Sequence, residues 1–126
     1  MEHKLDGLST EWYENGQKES EITYKNGKFH GLWTEWYENG QKKSECTYKD
    51  GKTNGLRTVW DEDGKKSEER YYKDNEFHGL SIEYENGQKS FEQTYKDGKF
   101  DGLYIESNKT YFFNSIIYAW LKYLKK

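Results

Sequence analysis

The sequence contains no proline, one cysteine and few aliphatic side chains. The single cysteine, Cys46, excludes an intramolecular disulfide framework and a zinc site made of several thiolates. Only about one residue in six is Leu, Ile, Val or Phe, a content in the range typical of disordered chains. The small net charge of −3 and the 18% of aromatic residues argue against disorder. We therefore predict one domain of 126 residues, packed by aromatic rings rather than by a thick aliphatic core.

Long apolar runs are also missing. Residues 1–7 lack the apolar segment of a secretory signal. The longest uncharged stretch near the C-terminus, residues 110–121, is shorter than the roughly 20 residues that a membrane-spanning helix needs. We expect a cytoplasmic protein, or an exported one if the chain is a fragment of a longer protein. The four lysines after Glu106 leave the preceding region acidic, which argues against nucleic-acid binding.

An internal repeat organises the chain. Gly7, Gly31, Gly55 and Gly79 begin successive units of similar sequence, and a partial fifth unit begins at Gly102. We assign residues 1–106 to these repeats, because self-similarity at a fixed short period is the signature of a repeat architecture.

Each unit carries two turn signals. They are Asn15-Gly16, Asn39-Gly40, Asp63-Gly64 and Asn86-Gly87 in one series, and Asn26-Gly27, Asp50-Gly51, Asp74-Asn75 and Asp97-Gly98 in the other. Such dipeptides favour hairpin turns with positive φ. Two strands per unit, with residues 103–106 as a ninth, predict an all-β, elongated and twisted antiparallel hairpin meander of about eight or nine strands. The absence of proline fits this prediction, since proline cannot donate to the ladder of an interior strand.

Alternation along the strands predicts which side chains pack together. We expect one packed aromatic face, and the residues assigned to it are Trp12, Trp36, Trp60, Tyr24, Tyr48, Tyr72 and Tyr95. The aromatic residues that alternate off this face are candidate partner-binding residues, namely Tyr13, Trp33, Tyr37 and Tyr71.

The fourth unit is one residue short before its first turn. A deletion within a strand would move every later side chain to the other face, whereas a deletion in the loop would not. We expect the loop to absorb it, so that Tyr84 takes the position that Trp60 has in the third unit.

The unit GLWTEWYENGQKKSECTYKDGK, residues 31–52, resembles the MORN repeat, and more closely its bacterial variant. The resemblance covers about residues 4–106 and implies an elongated sheet of hairpins that serves as a scaffold for protein binding. It also implies lipid binding or dimerisation in some members, and many bacterial relatives carry an antitoxin label. The family has no catalytic motif to transfer.

Residues 107–126 leave the repeat pattern, and we assign them to a C-terminal capping helix segment. Asn114 or Ser115 is a suitable N-cap, and the apolar residues after it recur at helical spacing. Three roles stay open for the segment: a cap over the last hairpins, a basic amphipathic helix on a membrane surface, or an oligomer contact such as a homodimer interface.

Other polar residues give no sign of a catalytic, cofactor or metal site. His30 and His78 lie two units apart, roughly 19 Å at ~4.8 Å per strand, too far to share a metal. The periodic glutamates and Cys46 have no catalytic partner in the sequence. We predict a non-catalytic scaffold with a protein partner, antitoxin-like in some relatives. The alternatives are a cell-wall carbohydrate- or choline-binding module, or lipid binding through the tail.

Overall fold

A computed structural model describes residues 5–106 and 109–113 of the chain, and in 102–113 it describes the backbone alone. These residues form one antiparallel sheet and contain no helix. The strands are β1 (Gly7–Trp12), β2 (Lys18–Lys25), β3 (Lys28–Phe29), β4 (Gly31–Trp36), β5 (Lys42–Lys49), β6 (Lys52–Trp60), β7 (Lys66–Lys73), β8 (Glu76–Glu85), β9 (Gln88–Lys96), β10 (Lys99–Glu106) and β11 (Lys109–Phe113). Over the same part of the chain, no helix is long and apolar enough to cross a membrane.

Strand order in the sheet follows chain order, so the predicted hairpin meander is confirmed. β3 and β4 both pair with β2 and form one strand interrupted at His30, whereas the equivalent strands of later units are continuous. β11 was not predicted: it pairs with β10 in the stretch that we assigned to the capping segment. The predicted helix with its N-cap at Asn114 or Ser115 lies outside the described residues.

Tight two-residue turns line one edge of the sheet. Both central residues have positive φ in every one, for example Asp50 at 50° and Gly51 at 83°. This is the type I′ geometry, which matches the twist of the flanking strands. Asp74-Asn75 forms the same turn without glycine, since Asn tolerates the left-handed region.

Longer loops line the opposite edge in the first three units. In the first, the amide of Tyr13 donates to the carbonyl of Gln17 at 2.8 Å, and that of Gly16 to the carbonyl of Tyr13 at 3.0 Å. Only the glycine of each loop has positive φ, so these loops combine an ordinary turn with one left-handed residue.

The fourth unit replaces this loop by a two-residue turn at Asn86-Gly87, where both residues have positive φ. Tyr84 pairs with Lys89 in the register in which Trp60 pairs with Lys66. The prediction that the loop absorbs the deletion is therefore confirmed.

A one-residue bulge lies in each of these four hairpins, between Glu11 and Trp12 in the first. Beyond it Leu8 pairs with Thr23 and Ser9 pairs with Ile22. Directly opposed residues project to the same side of an antiparallel pair, so the Leu/Trp columns and the Tyr columns lie on opposite faces. The prediction of one packed aromatic face is wrong, because an extra residue in one strand shifts all later pairing by one.

The interior is thin, as the composition predicts. Within the part of the chain whose side chains are described, the buried apolar residues are Ile22, Cys46 and Ile82, and no side chain is completely enclosed. Four small hydroxyl side chains complete the buried set: Thr34, Ser44, Thr58 and Ser81. Stability must therefore rest on contacts between neighbouring units rather than on a central core.

Candidate interaction surface

The face that carries the leucine column, here called the leucine face, consists of three rows that cross the strands. One row alternates Trp or Tyr with Lys, beginning with Trp12 and Lys18. The middle row alternates Thr or Ile with Glu, beginning with Thr10 and Glu21, and the third alternates Leu with Thr or Tyr. Because each row repeats once per hairpin, its chemistry recurs every roughly 10 Å along the sheet.

Most of the exposed large apolar side chains lie on the leucine face. They are Leu8 at 65% exposure, Trp12 at 58%, Leu32 at 52% and Tyr71 at 44%. Leu5, which precedes the first strand, is the remaining member among the described side chains. Clustered exposed apolar residues with a polar surround are typical of an interaction surface.

A shallow groove of about 300 Å³ crosses the first two units on this face. Leu8 and Leu32 line one side of it, Trp36 and two lysines line the other, and Thr34 lies between them. The groove thus offers apolar contact along one side and charged groups along the other.

Ion pairs hold the lysines of the leucine face in place. Lys18 Nζ lies 2.6 Å from Glu21 Oε2 and 5.6 Å from the centre of the Trp36 ring, and Lys42 repeats the carboxylate contact with Glu45. Each lysine is therefore fixed by a carboxylate and an aromatic ring, which orders the charged side of the groove.

The opposite face, here called the tyrosine face, carries two aromatic clusters. Ring centroids lie 5.1 to 6.0 Å apart in the first and 5.2 to 6.1 Å apart in the second. The clusters are Tyr24, Phe29, Trp33 and Tyr48, and Tyr72, Phe77, Tyr95 and Phe100. Thr53 lies between them, at the position where the other units have Phe.

Tyr13 and Tyr37 link successive loops. The Tyr13 hydroxyl donates to the carbonyl of Trp36 at 2.6 Å, and the Tyr37 hydroxyl donates to the carbonyl of Trp60 at 2.8 Å. Burial, and after it the charges of Glu62 and Asp61, raises the pKa of Tyr37 above its ordinary value. Both residues are half-buried, and each hydroxyl joins one unit to the next.

The four predicted partner-binding residues do not meet at one place. Trp33 is half-buried in the first cluster of the tyrosine face, and Tyr71 alone is exposed, on the leucine face opposite Leu56. Their role in binding stays a prediction. Sequence reasoning missed Leu8, Leu32 and Trp12, which it assigned to the packed face.

The polar residues considered for chemistry are dispersed. Burial raises the pKa of the Cys46 thiol, which opposes thiolate formation. His30 and His78 lie near different turns, and His78 Nδ1 is 3.7 Å from Asp97 Oδ1. Within residues 5–101 no three His, Cys, Asp or Glu side chains converge as metal ligands would.

Successive hairpins of similar length and sequence in one sheet define this molecule as a β-hairpin repeat protein. The model of the MORN repeat variant matches residues 5–26, 29–50, 53–74 and 78–97. The chain belongs to that family, and MORN repeats generally mediate interactions with proteins or membrane lipids. No curated protein matches the chain.

The chain is similar to parts of two larger chains of known structure. One is described as accessory secretory protein 1, 2 and 3 in Streptococcus pneumoniae, with 14% identity over 94% of this chain and 21% of that chain, at a TM-score of 0.35. The other is a GtfA/B complex bound to UDP and GlcNAc, with 13% identity over 99% of this chain and 30% of that chain, at a TM-score of 0.36. The chain spans less than a third of either, and scores this low carry no argument about function.

Proposed function

We propose that the chain is a non-catalytic scaffold that binds a protein partner through the leucine face. The observation that carries this proposal is the concentration of exposed Leu8, Trp12, Leu32 and Tyr71 on one face of the sheet. Family membership supports an interaction role in general. An antitoxin-like protein would be one instance of such a scaffold.

The groove on this face fits a protein segment better than a sugar. A sugar-binding site presents aromatic rings as a bare platform, whereas here Lys18 lies over the Trp12 and Trp36 rings, at 5.9 and 5.6 Å from their centres. Leu8 and Leu32 offer aliphatic contact, which suits apolar side chains of a protein.

Capture of partners from the native source tests the proposal with two matched variants. Leu32→Glu places a charge on the leucine face, and Leu5→Glu places the same charge on an equally exposed leucine outside it. We expect a protein, identified by mass spectrometry and cross-linked to β1 or β4, to be retained by the wild type and by Leu5→Glu and lost with Leu32→Glu.

Equal retention by both variants would contradict a role for the leucine face. Glycan-array binding that disappears in Trp36→Ala, with no protein captured, would favour the carbohydrate-binding alternative. Circular dichroism of each variant establishes that the sheet is intact before either result is interpreted.

A further inference from the structure

The edge of the sheet that carries the type I′ turns is rich in lysine. Seven exposed lysines flank these turns, namely Lys25, Lys28, Lys49, Lys52, Lys73, Lys96 and Lys99. None of them forms an ion pair within the described part of the chain. The loop edge opposite mixes exposed acids such as Glu14, Glu38 and Glu62 with exposed lysines such as Lys43 and Lys65, whereas at the type I′ turns the lysines outnumber the acids.

Like charges face each other across three of these hairpins. Lys25 pairs with Lys28, Lys49 with Lys52, and Lys96 with Lys99. Directly opposed like charges destabilise an antiparallel pair. The third unit shows that the repeat accepts an acid there, since Lys73 pairs with Glu76. The fold itself therefore does not require the lysine at this position.

A groove lies on this edge and extends over the flanks of the first three type I′ turns. Its volume is about 690 Å³. Four lysines and two acids line it, so the formal charge of the lining is positive: Lys28, Lys49, Lys52, Lys73, Asp50 and Asp74. The half-buried Asn54, Tyr72 and His78 complete the lining with Gly55. Neighbouring turns contact each other, since the amide of Asn75 donates to the carbonyl of Thr53 at 3.0 Å. A bound segment therefore lies across the turns in the open groove rather than between them.

We infer that this groove binds an acidic segment of a protein partner, whose carboxylates pair with the lysines of neighbouring turns. This surface is distinct from the leucine face, and the inference does not depend on what that face binds. Complementary charge steers such a partner to the edge and fixes its position on it.

The shape of the edge favours a narrow chain over a flat anionic membrane. Asp50, Asp74 and Asp97 occupy the turn tips, and the lysines stand on the flanks one residue behind. A planar surface approaching the edge meets these carboxylates first, whereas a peptide that lies in the groove reaches the lysines that line it. All but Leu5 of the exposed large apolar residues, which would insert into a membrane, lie on the leucine face instead.

Fluorescence anisotropy with a rhodamine-labelled octaglutamate peptide tests the inference on the full chain. We expect saturable binding at low ionic strength that weakens as salt is added. Lys52→Glu reproduces the pair found at Lys73 and Glu76, and we expect it to raise the unfolding midpoint in urea while weakening peptide binding at least tenfold. A raised urea midpoint would establish that misfolding does not explain the lost binding.

Lys65→Glu is the matched control, since it makes the same charge reversal at an exposed lysine of the opposite edge. We expect its peptide affinity to stay within twofold of the wild type. Equal weakening by both variants, or no peptide binding at low salt, would overturn the inference. Binding to phosphatidylserine vesicles that is stronger than binding to the peptide and is lost with Lys52→Glu would overturn it in favour of a membrane surface.

Discussion

The junctions between the first three units and the junction between the third and fourth units are built differently. At the first two junctions the loops are joined by a Tyr hydroxyl and an Asn amide: Tyr37 donates to the Trp60 carbonyl and Asn39 to the Glu62 carbonyl at 3.2 Å. The third unit has Asp61 and Asp63 at these positions, and neither carboxylate can donate. Asp61 instead accepts from the amides of Asp63 and Lys65 within its own loop.

The third junction is held by charged side chains on the two faces of the sheet. On the tyrosine face Arg70 Nε lies 2.7 Å from Glu68, a second nitrogen lies 3.2 Å from Glu83, and the guanidinium lies over the Phe77 ring. On the leucine face the Tyr84 hydroxyl donates to Glu69, which also pairs with Lys66. The repeat thus tolerates the loss of the Tyr and Asn hydrogen bonds between successive loops when other contacts join the neighbouring strands.

Removing Arg70 should produce the largest loss, because it joins β7 to β8 through the Glu83 carboxylate and the Phe77 ring and also pairs with Glu68 on its own strand. We expect Arg70→Ala to lower the free energy of unfolding by about 2 kcal/mol, since it leaves the half-buried Glu68 without its nearest cation. Urea unfolding followed by circular dichroism measures the change. Arg57→Ala, which removes a single 3.3 Å pair with Glu68, is the control and should cost less than about 1 kcal/mol. Equal losses would show that the third junction does not depend on Arg70.

Tyr84→Phe should cost about 1–2 kcal/mol at neutral pH, because it removes a hydrogen bond to a carboxylate. Burial and the hydrogen bond to Glu69 raise the pKa of Tyr84 to about 12. Because this value lies above the unfolded-state value of 10.0, the stabilisation is complete below pH 10 and is lost as the pH rises toward 12. The wild type and the variant should therefore converge in stability above pH 12, and a constant difference would contradict the assignment.

The acid limit of the same contact follows from Glu69. Burial alone would raise the pKa of this carboxyl, but the hydrogen bonds from Tyr84 and Lys66 outweigh it and hold the pKa below 4.5. A carboxyl whose pKa is lowered in the folded state stabilises the fold above pH 4.5. This stabilisation is lost as the pH falls through the folded-state pKa. Stability of Tyr84→Phe should accordingly fall less steeply than that of the wild type in urea titrations below pH 4.5. Parallel acid profiles would argue against this coupling.

Tyr37→Phe should cost about 1 kcal/mol, because it leaves the half-buried carbonyl of Trp60 without its tyrosine donor. Hydrogen exchange should show faster opening of the loops after β4 and β6, with little change in β8 and β9. Faster exchange spread evenly over all units would mean that the hydrogen bond from Tyr37 does not stabilise these two loops in particular.

Asn39→Asp should have the smallest effect, within about 0.5 kcal/mol, because its bond to the Glu62 carbonyl is exposed to solvent. The reverse change, Asp63→Asn, should leave the urea midpoint unchanged, since the shortened fourth turn offers no matching loop. A clear gain in Asp63→Asn would indicate that the third loop reaches the fourth unit after all.

Turns and strand spacing were predictable from the sequence because each depends on local residue chemistry. The glycine of every Asn-Gly or Asp-Gly turn signal has positive φ, so the hairpins and the accommodation of the short fourth unit followed from these signals. The faces did not follow. The bulge leaves Glu19, Lys43, Ser67 and Ser90 unpaired, so no one residue type marks it in all four hairpins.

Because the bulge was not predicted, sequence reasoning also placed the exposed leucines on the packed face. Without the bulge Leu8 would share a face with Ile22 and be covered, whereas with it Leu8 faces Thr23 and is exposed. Tyr13 and Tyr37 were misjudged as exposed for a related reason, because a hydroxyl that reaches the next unit can be found only once the spacing between loops is known.

Strand order without a crossover also determines how the molecule responds to a pulling force. β1 and β11 are the two outermost strands of the sheet. Each strand between them pairs with strands that precede and follow it in the chain, with β3 and β4 counted as one strand. Tension between the ends loads the ladders one hydrogen bond at a time, as in opening a zipper, rather than all together as in shear. We expect such a sheet to unfold hairpin by hairpin at low force and to refold from the part that remains folded. It would therefore act as a compliant spacer under tension between its two outermost strands.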